Sequence, residues 1–373
     1  DEVPSRGLGD VYKRQLQSPP TQPSVMERPI IECVPNISEG RNLAIIDQII
    51  KSINQTADCS VLGIEPDADY NRTVVTIAGA PDEVYQAAYQ LIKTSIELID
   101  MTVHEGEHPR LGVVDVCPFI PLQNYSMDQC VELANRLAKQ IAKEFNVCTF
   151  LYGYAATKPE RKLLSTLRKG EYEGLESRLN RTDEVHSEIT MLPDFGPQSW
   201  CQEVRKSGGI TIGARDILVA YNVNVDETDA KVAKLIGSIV RGSGRLLKSN
   251  TGQKLRVRGM IQEIQGMGVT LETHGISQVS MNILDVNKCS IHKAFEICRS
   301  IAQDHSTNLL GSELVGLVPL SAMLDAGRWY CDNPNPSDDE LVSSAIDGLG
   351  LSSLETFEPQ QRIIEWALQG DSQ

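Results

Sequence analysis

No apolar run in this chain is long enough to cross a bilayer as a helix, and its first residues lack the basic-then-apolar pattern of a secretory signal. Positive charge is also scarce. Thirty-five Lys and Arg stand against 50 Asp and Glu, a formal net charge of -15. Binding a phosphate backbone needs a concentrated basic surface, so nucleic acid is excluded as a partner, and a membrane is set aside with it. Any anionic ligand must then be met by a local cluster of Arg and Lys. Paired cysteine motifs are missing too. The nine cysteines (Cys33, Cys59, Cys117, Cys130, Cys148, Cys201, Cys289, Cys298 and Cys331) are odd in number, dispersed and without a Cys-x-x-Cys pair. That is the pattern of reduced thiols in a cytosolic protein, most of them acting as small core residues. The glycine-rich stretch from Gly242 to Lys248 lacks the Gly-Lys-Ser/Thr ending of a P-loop, which removes the strongest signal for nucleotide binding.

What remains is an ordinary globular composition over 373 residues, long enough for two domains with substantial cores. Residues 1–25 mix charges with a Gln/Pro/Ser stretch and have no hydrophobic period, so they read as a leader outside the fold. Asp1 to Gln15 resembles a translated cloning linker, with Met26 as the native start. From Pro29 a regular pattern begins. A strand at Ile30 to Pro35 is followed by a helix near Asn42 to Ile53, whose Leu43, Ile46, Ile49, Ile50 and Ile53 recur at helical spacing. Strands at Ser60 to Glu65 and Arg72 to Ala78 precede a helix opened by Pro81. Another strand spans Val113 to Ile120, then a helix from Met127 to Phe145 with Ser126 as N-cap, then a strand at Val147 to Tyr152. Beyond a polar stretch from Lys158 to Thr190, predicted to carry one or two short helices, the order repeats. Strands are predicted at Asp216 to Val225, Val257 to Ile264, Ser277 to Asp285 and Asn308 to Leu317, with helices at Glu227 to Val240 and Ile291 to Gln303. Two split β-α-β units predict an α+β protein: two ferredoxin-like α/β sandwich subdomains, 26–190 and 191–373, facing each other across a cleft.

The densest chemistry lies in His104 to Gly112, where two imidazoles, two carboxylates and a guanidinium occupy nine positions. Read literally, His104-Glu105-x-x-His108 is a zinc-hydrolase motif, which binds metal only when a helix brings both histidines onto one face. Gly106 between them and Pro109 after them disfavour a helix, and no third histidine follows before His186. The segment reads as a loop, the metal assignment is none, and His108 becomes the candidate acid/base group. His104 reads as a neighbour of the site or a surface residue rather than a proton relay. His186, His274, His292 and His305 read as structural or exposed.

Seven motifs in order, Glu32 to Gly40, Asn71 to Val74, Gly106 to Arg110, Asp115 to Pro121, Pro193 to Pro197, Gly213 to Arg215 and Val315 to Leu320, resemble those of the formiminotransferase family from about Ile30 to Leu368. The resemblance implies transfer of a formimino group from N-formimino-glutamate to tetrahydrofolate in histidine breakdown. It also implies a cytoplasmic homodimer acting on folate polyglutamates, with tetrahydrofolate as co-substrate and no cyclodeaminase domain attached. His108 matches the family's catalytic histidine. Glu65 stands where the family usually has an assisting aspartate, with Asp67 as fallback. Gly196, Pro197, Gln198, Ser199, Trp200 and Gly208 fall in the folate-binding stretch, where an aromatic face suits a pterin ring.

Carboxylates on glutamate and on the folate tail call for guanidinium groups, and Arg110 and then Arg72 are the candidates, either of which could instead hold a buried carboxylate. Asn36 and Arg41 flank a turn in which Gly40 would allow close backbone approach. That turn also reads as a plain β-α connection capped by Ser38. The cations Arg241, Arg245, Lys248, Lys254, Arg256 and Arg258 read as a solvated loop face or as a dock for a polyglutamate tail. Two competing functions stay open: a folate-binding module without turnover, and a zinc hydrolase using His104 and His108.

Overall fold

The computed structural model describes residues 28–56, 59–68, 70–106, 109–180, 191–271 and 274–370. The leader at 1–25, the candidate His108 and His186 lie outside the described residues. Among those described, no helix is long and apolar enough to cross a membrane, and all nine cysteines are free, six of them buried.

The first half runs β1 (Ile30–Cys33), β2 (Asn36–Ile37), α1 (Leu43–Thr56), β3 (Ser60–Asp67), β4 (Arg72–Gly79), α2 (Pro81–Leu98), β5 (Val114–Gln123), α3 (Met127–Phe145), β6 (Cys148–Gly153) and β7 (Gly209–Ala214). Its sheet is ordered β3-β4, then β1 and β2, then β5-β7-β6; β7 runs parallel to β5 and β6, and the other pairs are antiparallel. The second half runs β8 (Val219–Val225), α4 (Lys231–Val240), β9 (Arg245–Lys248), β10 (Lys254–Val257), β11 (Ile264–Leu271), β12 (Ile276–Ile283), α5 (Ile291–Asp304) and β13 (Leu309–Val315). Its sheet is ordered β11-β12-β8-β13, antiparallel throughout. With β1 and β2 taken as one broken strand, both halves show the same spatial sequence: second strand, third, first, fourth.

Helical periodicity decides which sheet face is covered. Ile46, Ile49, Ile50 and Ile53 of α1, Val84, Leu91 and Ile92 of α2, and Leu137 and Ile141 of α3 are buried with Ile31, Ile77 and Phe119 of the sheet. Each such side chain contributes about 1.5–3 kcal/mol of burial free energy. Leu43, grouped with them by spacing, is 66% exposed, because it opens the helix at the rim. Ser126 caps α3 as its position predicts: its Oγ accepts from Gln129 N at 3.2 Å, and the Gln129 side chain accepts from Ser126 N at 2.9 Å. Ser38 does not cap α1. It lies too far upstream and donates to Gly112 O at 2.7 Å, while Asn42 Oδ1 and Glu39 Oε1 accept the amides at the start of the helix.

Two more corrections concern the second half and its boundary. β7 completes the first sheet from beyond residue 190, so that sheet runs on to Ala214 and does not end where the polar stretch ends. Helical turns lie at Pro159–Arg161, Leu164–Leu167 and Leu175–Asn180, within the polar stretch predicted to carry one or two short helices, and a further one at Gln202–Ser207. Their Leu167, Leu175, Leu179 and Val204 pack with Val116, Phe150 and Tyr152 of the sheet. The strand expected at Val257 to Ile264 is instead β11, seven residues later, and Lys254–Val257 pairs with Arg245–Lys248 in a hairpin of its own. The tail adds α6 (Leu320–Tyr330), α7 (Asp338–Leu349) and α8 (Ile364–Gly370). The last of these reaches β3 and β4 of the first half.

Candidate active site

Cross-strand partners share a sheet face, and that rule assembles three of the expected site residues. Glu65 pairs with Val74, and Val74 with Asn36, which in turn pairs with Val116. Arg72, two residues before Val74 on β4, points the same way. Glu65, Asn36 and Arg72 therefore lie on the face opposite α1, α2 and α3. Arg72 stands near Tyr70, its guanidinium carbon 5.7 Å from the ring centroid. Burial lowers its pKa, with the Arg168 charge acting the same way and Asp115 and Asp67 opposing both.

The histidine loop is fastened to that sheet through Asn71. This residue sits in the left-handed region (φ 48°), where Asn is tolerated because its short amide bonds locally. Its Oδ1 accepts from Gly40 N at 3.0 Å and its Nδ2 donates to Glu105 O at 2.8 Å. Its carbonyl lies 3.1 Å from His104 Nε2. A β-carbon at Gly106 would stand 2.4 Å from Tyr70 O, so only glycine lets the loop come this close. Arg110 is buried and faces inward from the far side of the loop. Its Nη1 and Nη2 meet Glu173 at 2.8 and 2.6 Å, and Nη1 also meets Glu171 at 3.2 Å. Burial alone would lower the Arg110 pKa; the Glu173 carboxylate, helped by Glu171, more than offsets this and raises it.

The stretch expected to hold folate returns to the same loop. Gly208 forms a bridge with Gly112, and Gly209 N donates to Leu111 O at 2.9 Å. At the other end, Gly196 (φ 91°) crosses Val147 so closely that a β-carbon would stand 2.1 Å from its carbonyl. Pro197 O accepts from Cys148 Sγ at 3.0 Å, while Gln198 and Ser199 are exposed. Trp200 leans on Tyr172, ring centroids 5.9 Å apart, and both line a cavity of about 780 Å³ together with Thr102, Glu173, Gln202 and Arg205. Tyr172 ties this wall to the histidine loop: its N–H donates to Arg110 O at 2.9 Å and its hydroxyl to Arg205 O at 2.5 Å. The structure thus brings Arg110, Trp200 and Gly208 together around one loop, and sets Glu65, Asn36 and Arg72 on the adjoining sheet face.

Several residues to which the sequence assigned no role support this arrangement. Glu171 and Glu173 sit in the polar stretch from Lys158 to Thr190, which holds none of the motifs. Arg161 and Asp194 form a buried ion pair, with side chains 3% and 7% exposed, and Asp194 Oδ2 also accepts from Leu151 N at 2.7 Å. Arg168 pairs with Asp115, whose carboxyl pKa burial raises against the pull of that same arginine. Glu32, 5% exposed on β1, has its pKa pushed up to about 7 by burial, with Arg215 opposing and Glu365 of α8 adding to the rise. The second sheet is polar on the face away from α4 and α5, where Gln278 Nε2 donates to Asn224 Oδ1 at 2.8 Å and to Glu313 Oε2 at 2.6 Å.

Comparison with known proteins agrees with these motifs. Residues 30–215 match the family described as formiminotransferase domain, N-terminal subdomain, and residues 220–369 match the formiminotransferase domain. A formimidoyltransferase-cyclodeaminase of Mus musculus is 40% identical over 340 residues, covering 90% of this chain and 59% of the relative. The chain thus spans about three-fifths of the length of that relative. A glutamate formimidoyltransferase of Streptococcus pyogenes serotype M1 is 38% identical over 302 residues, covering 81% of this chain and 93% of the relative. One of Thermoplasma acidophilum is 34% identical over 301 residues, covering 81% and 92%.

Proposed function

The chain belongs to the formiminotransferase family, and we propose that it is a folate-dependent one-carbon transferase, moving a formimino group between N-formimino-L-glutamate and tetrahydrofolate. The observation that carries this reading is the convergence of Trp200, Gly208 and the flanks of His108 around one loop, beside a cavity of about 780 Å³. Two aromatic faces, Trp200 and Tyr172, among the polar groups Thr102, Glu173, Gln202 and Arg205 suit a ring system with polar edges such as a pterin.

The chemistry asks for little beyond proton management. The attacking folate nitrogen must lose a proton as its bond to the amidine carbon forms, and the departing glutamate nitrogen must gain one as its bond breaks. One imidazole with a pKa near neutrality serves both steps, and such assistance is worth about a hundred- to ten-thousandfold. His108 is assigned that role, with Glu65 assisting from β3. Asn36, Arg72, Gly196, Pro197, Gln198, Ser199, Trp200 and Gly208 are assigned to substrate and folate binding. No metal enters the proposal.

The matching strand orders support two ferredoxin-like halves, each an open sheet backed by helices, facing each other across a polar cleft. A homodimer, a cytoplasmic setting, histidine degradation and folate polyglutamates as the cellular acceptor belong to the same proposal. The decisive assay incubates the purified protein with N-formimino-glutamate and tetrahydrofolate and follows 5-formimino-tetrahydrofolate by absorbance. Catalytic formation of that product is expected. Folate binding without turnover would leave a binding module instead, and bound zinc with hydrolytic activity would favour the metal reading.

A further inference from the structure

Arg110 has no hydrogen left to offer a substrate. A guanidinium carries five N–H groups, and five acceptors surround this one. Nε donates to His104 Nδ1 at 3.2 Å, Nη1 to Glu173 Oε2 at 2.8 Å and Glu171 Oε2 at 3.2 Å, and Nη2 to Glu173 Oε1 at 2.6 Å and His104 O at 3.3 Å. The Arg110 side chain is 8% exposed, so water is not a ready substitute for these partners. The two-point contact with Glu173 is the geometry in which a guanidinium holds a carboxylate most firmly.

His104 is fixed by the same contacts. Arg110 Nε can only donate, so His104 Nδ1 accepts; the Asn71 carbonyl, 3.1 Å from Nε2, can only accept, so Nε2 donates. The ring is therefore the neutral Nε2–H tautomer with both nitrogens spent. Burial lowers its pKa first; the Asn71 carbonyl and Glu39 pull the other way, while Arg110 and Arg41 add to the lowering. Such a ring is a poor proton shuttle and a good strut.

These bonds pin both sides of one dipeptide. Upstream, His104 and Glu105 are tied to Asn71, and Gly106 lies against Tyr70. Downstream, Arg110 is tied to Glu173 and Glu171, and its carbonyl accepts from Tyr172 N. Between the two sides the sequence places Glu107 and His108. We propose that His104 and Arg110 are positioning residues for the formimino transfer, a brace anchored on Asn71, Glu171 and Glu173 that aims the His108 segment, with Arg110 committed to the brace instead of to a substrate carboxylate. The proposal rests on the functional reading above for its kinetic consequence and on geometry alone for the brace.

Two measurements test it. In steady-state kinetics of Glu173→Gln, kcat should fall about ten- to a hundredfold while the KM for N-formimino-glutamate stays within about twofold, because misaiming a catalytic group slows chemistry without weakening substrate contacts. A rise in that KM with kcat intact would make Arg110 the carboxylate clamp and overturn the proposal. The second is ¹⁵N NMR of the His104 ring in the substrate-free wild-type protein, which needs no activity. The brace requires an Nε2–H imidazole that takes up a proton only at lower pH than a free imidazole does. An Nδ1–H tautomer or a freely titrating ring would refute it. Absence of any formimino transfer by the wild type would sink the functional reading, and the ring spectrum would still decide the brace.

Discussion

Gly316, in the turn after β13, lies against the Glu65 carboxylate: a β-carbon built there would stand 3.6 Å from Oε1. The second half of the chain thereby closes on the sheet face of the first half that carries Asn36 and Arg72. Gly316 also holds a positive φ of 74°, which any other side chain would strain. Replacing Glu65 by Gln, similar in size but uncharged, is expected to lower kcat about tenfold or more while folate affinity holds. Gly316→Val should slow turnover as well, by moving the turn away from Glu65. Steady-state kinetics alongside direct folate titration would check both, and wild-type kcat in Glu65→Gln would remove Glu65 from the reaction.

The Arg161–Asp194 pair supports stability rather than chemistry. Removing one member of a buried pair leaves the other charge without compensation, at a loss of about 3–5 kcal/mol. Asp194→Asn should therefore shift urea unfolding by that order. It should also loosen Gly196 and Pro197, since Asp194 bonds Leu151 N and stands two residues before Gly196. A change below about 1 kcal/mol would mean that the pair carries little of the folded state's stability.

Glu32 gives the fold a pH dependence of definite sign. Its carboxyl pKa rises from the usual 4.5 to about 7 in the folded protein, so between those values the folded state holds a proton that the unfolded chain has released. Stability from this group is complete below about pH 4.5 and is lost as pH rises through about 7. Glu32→Gln keeps the neutral form at every pH. It should flatten that part of the stability profile and raise stability at pH 8 by up to about 3 kcal/mol. Parallel profiles for variant and wild type would show that Glu32 is not the group responsible.

Trp200 offers the cavity a ring face steadied by Tyr172. Trp200→Ala is expected to weaken tetrahydrofolate about three- to tenfold, the scale of one aromatic stacking contact, and to leave the KM for N-formimino-glutamate nearly unchanged. Fluorescence titration with folate separates the two substrates. Equal loss of both would point to general disruption of the 196–208 stretch.

Much of the fold was legible because burial writes itself into spacing. The isoleucines of α1, Pro81 at the start of α2 and Ser126 before α3 each mark their element in the sequence. β11 was misplaced for a physical reason. Gly266 and Gly268 leave gaps in the apolar alternation that marks a strand, yet a β-carbon at Gly268 would stand 2.1 Å from Lys234 N, so glycine is what lets α4 pack on the strand. β7 was missed because its partners β5 and β6 precede it by more than fifty residues, a relation that no local period records. Around the site, motif order located the histidine loop and the Gly196 to Gly208 stretch. Local chemistry alone could not separate a guanidinium reserved for substrate from one already satisfied: Arg110 finds Glu173 63 residues away, inside a polar stretch that holds no motif.

The most direct test of the whole account is His108→Asn, with tetrahydrofolate affinity measured beside turnover. Folate binding should stay within about twofold of wild type, and kcat should fall at least about a hundredfold, the loss expected when acid/base assistance is removed. Wild-type turnover in that variant would contradict the account.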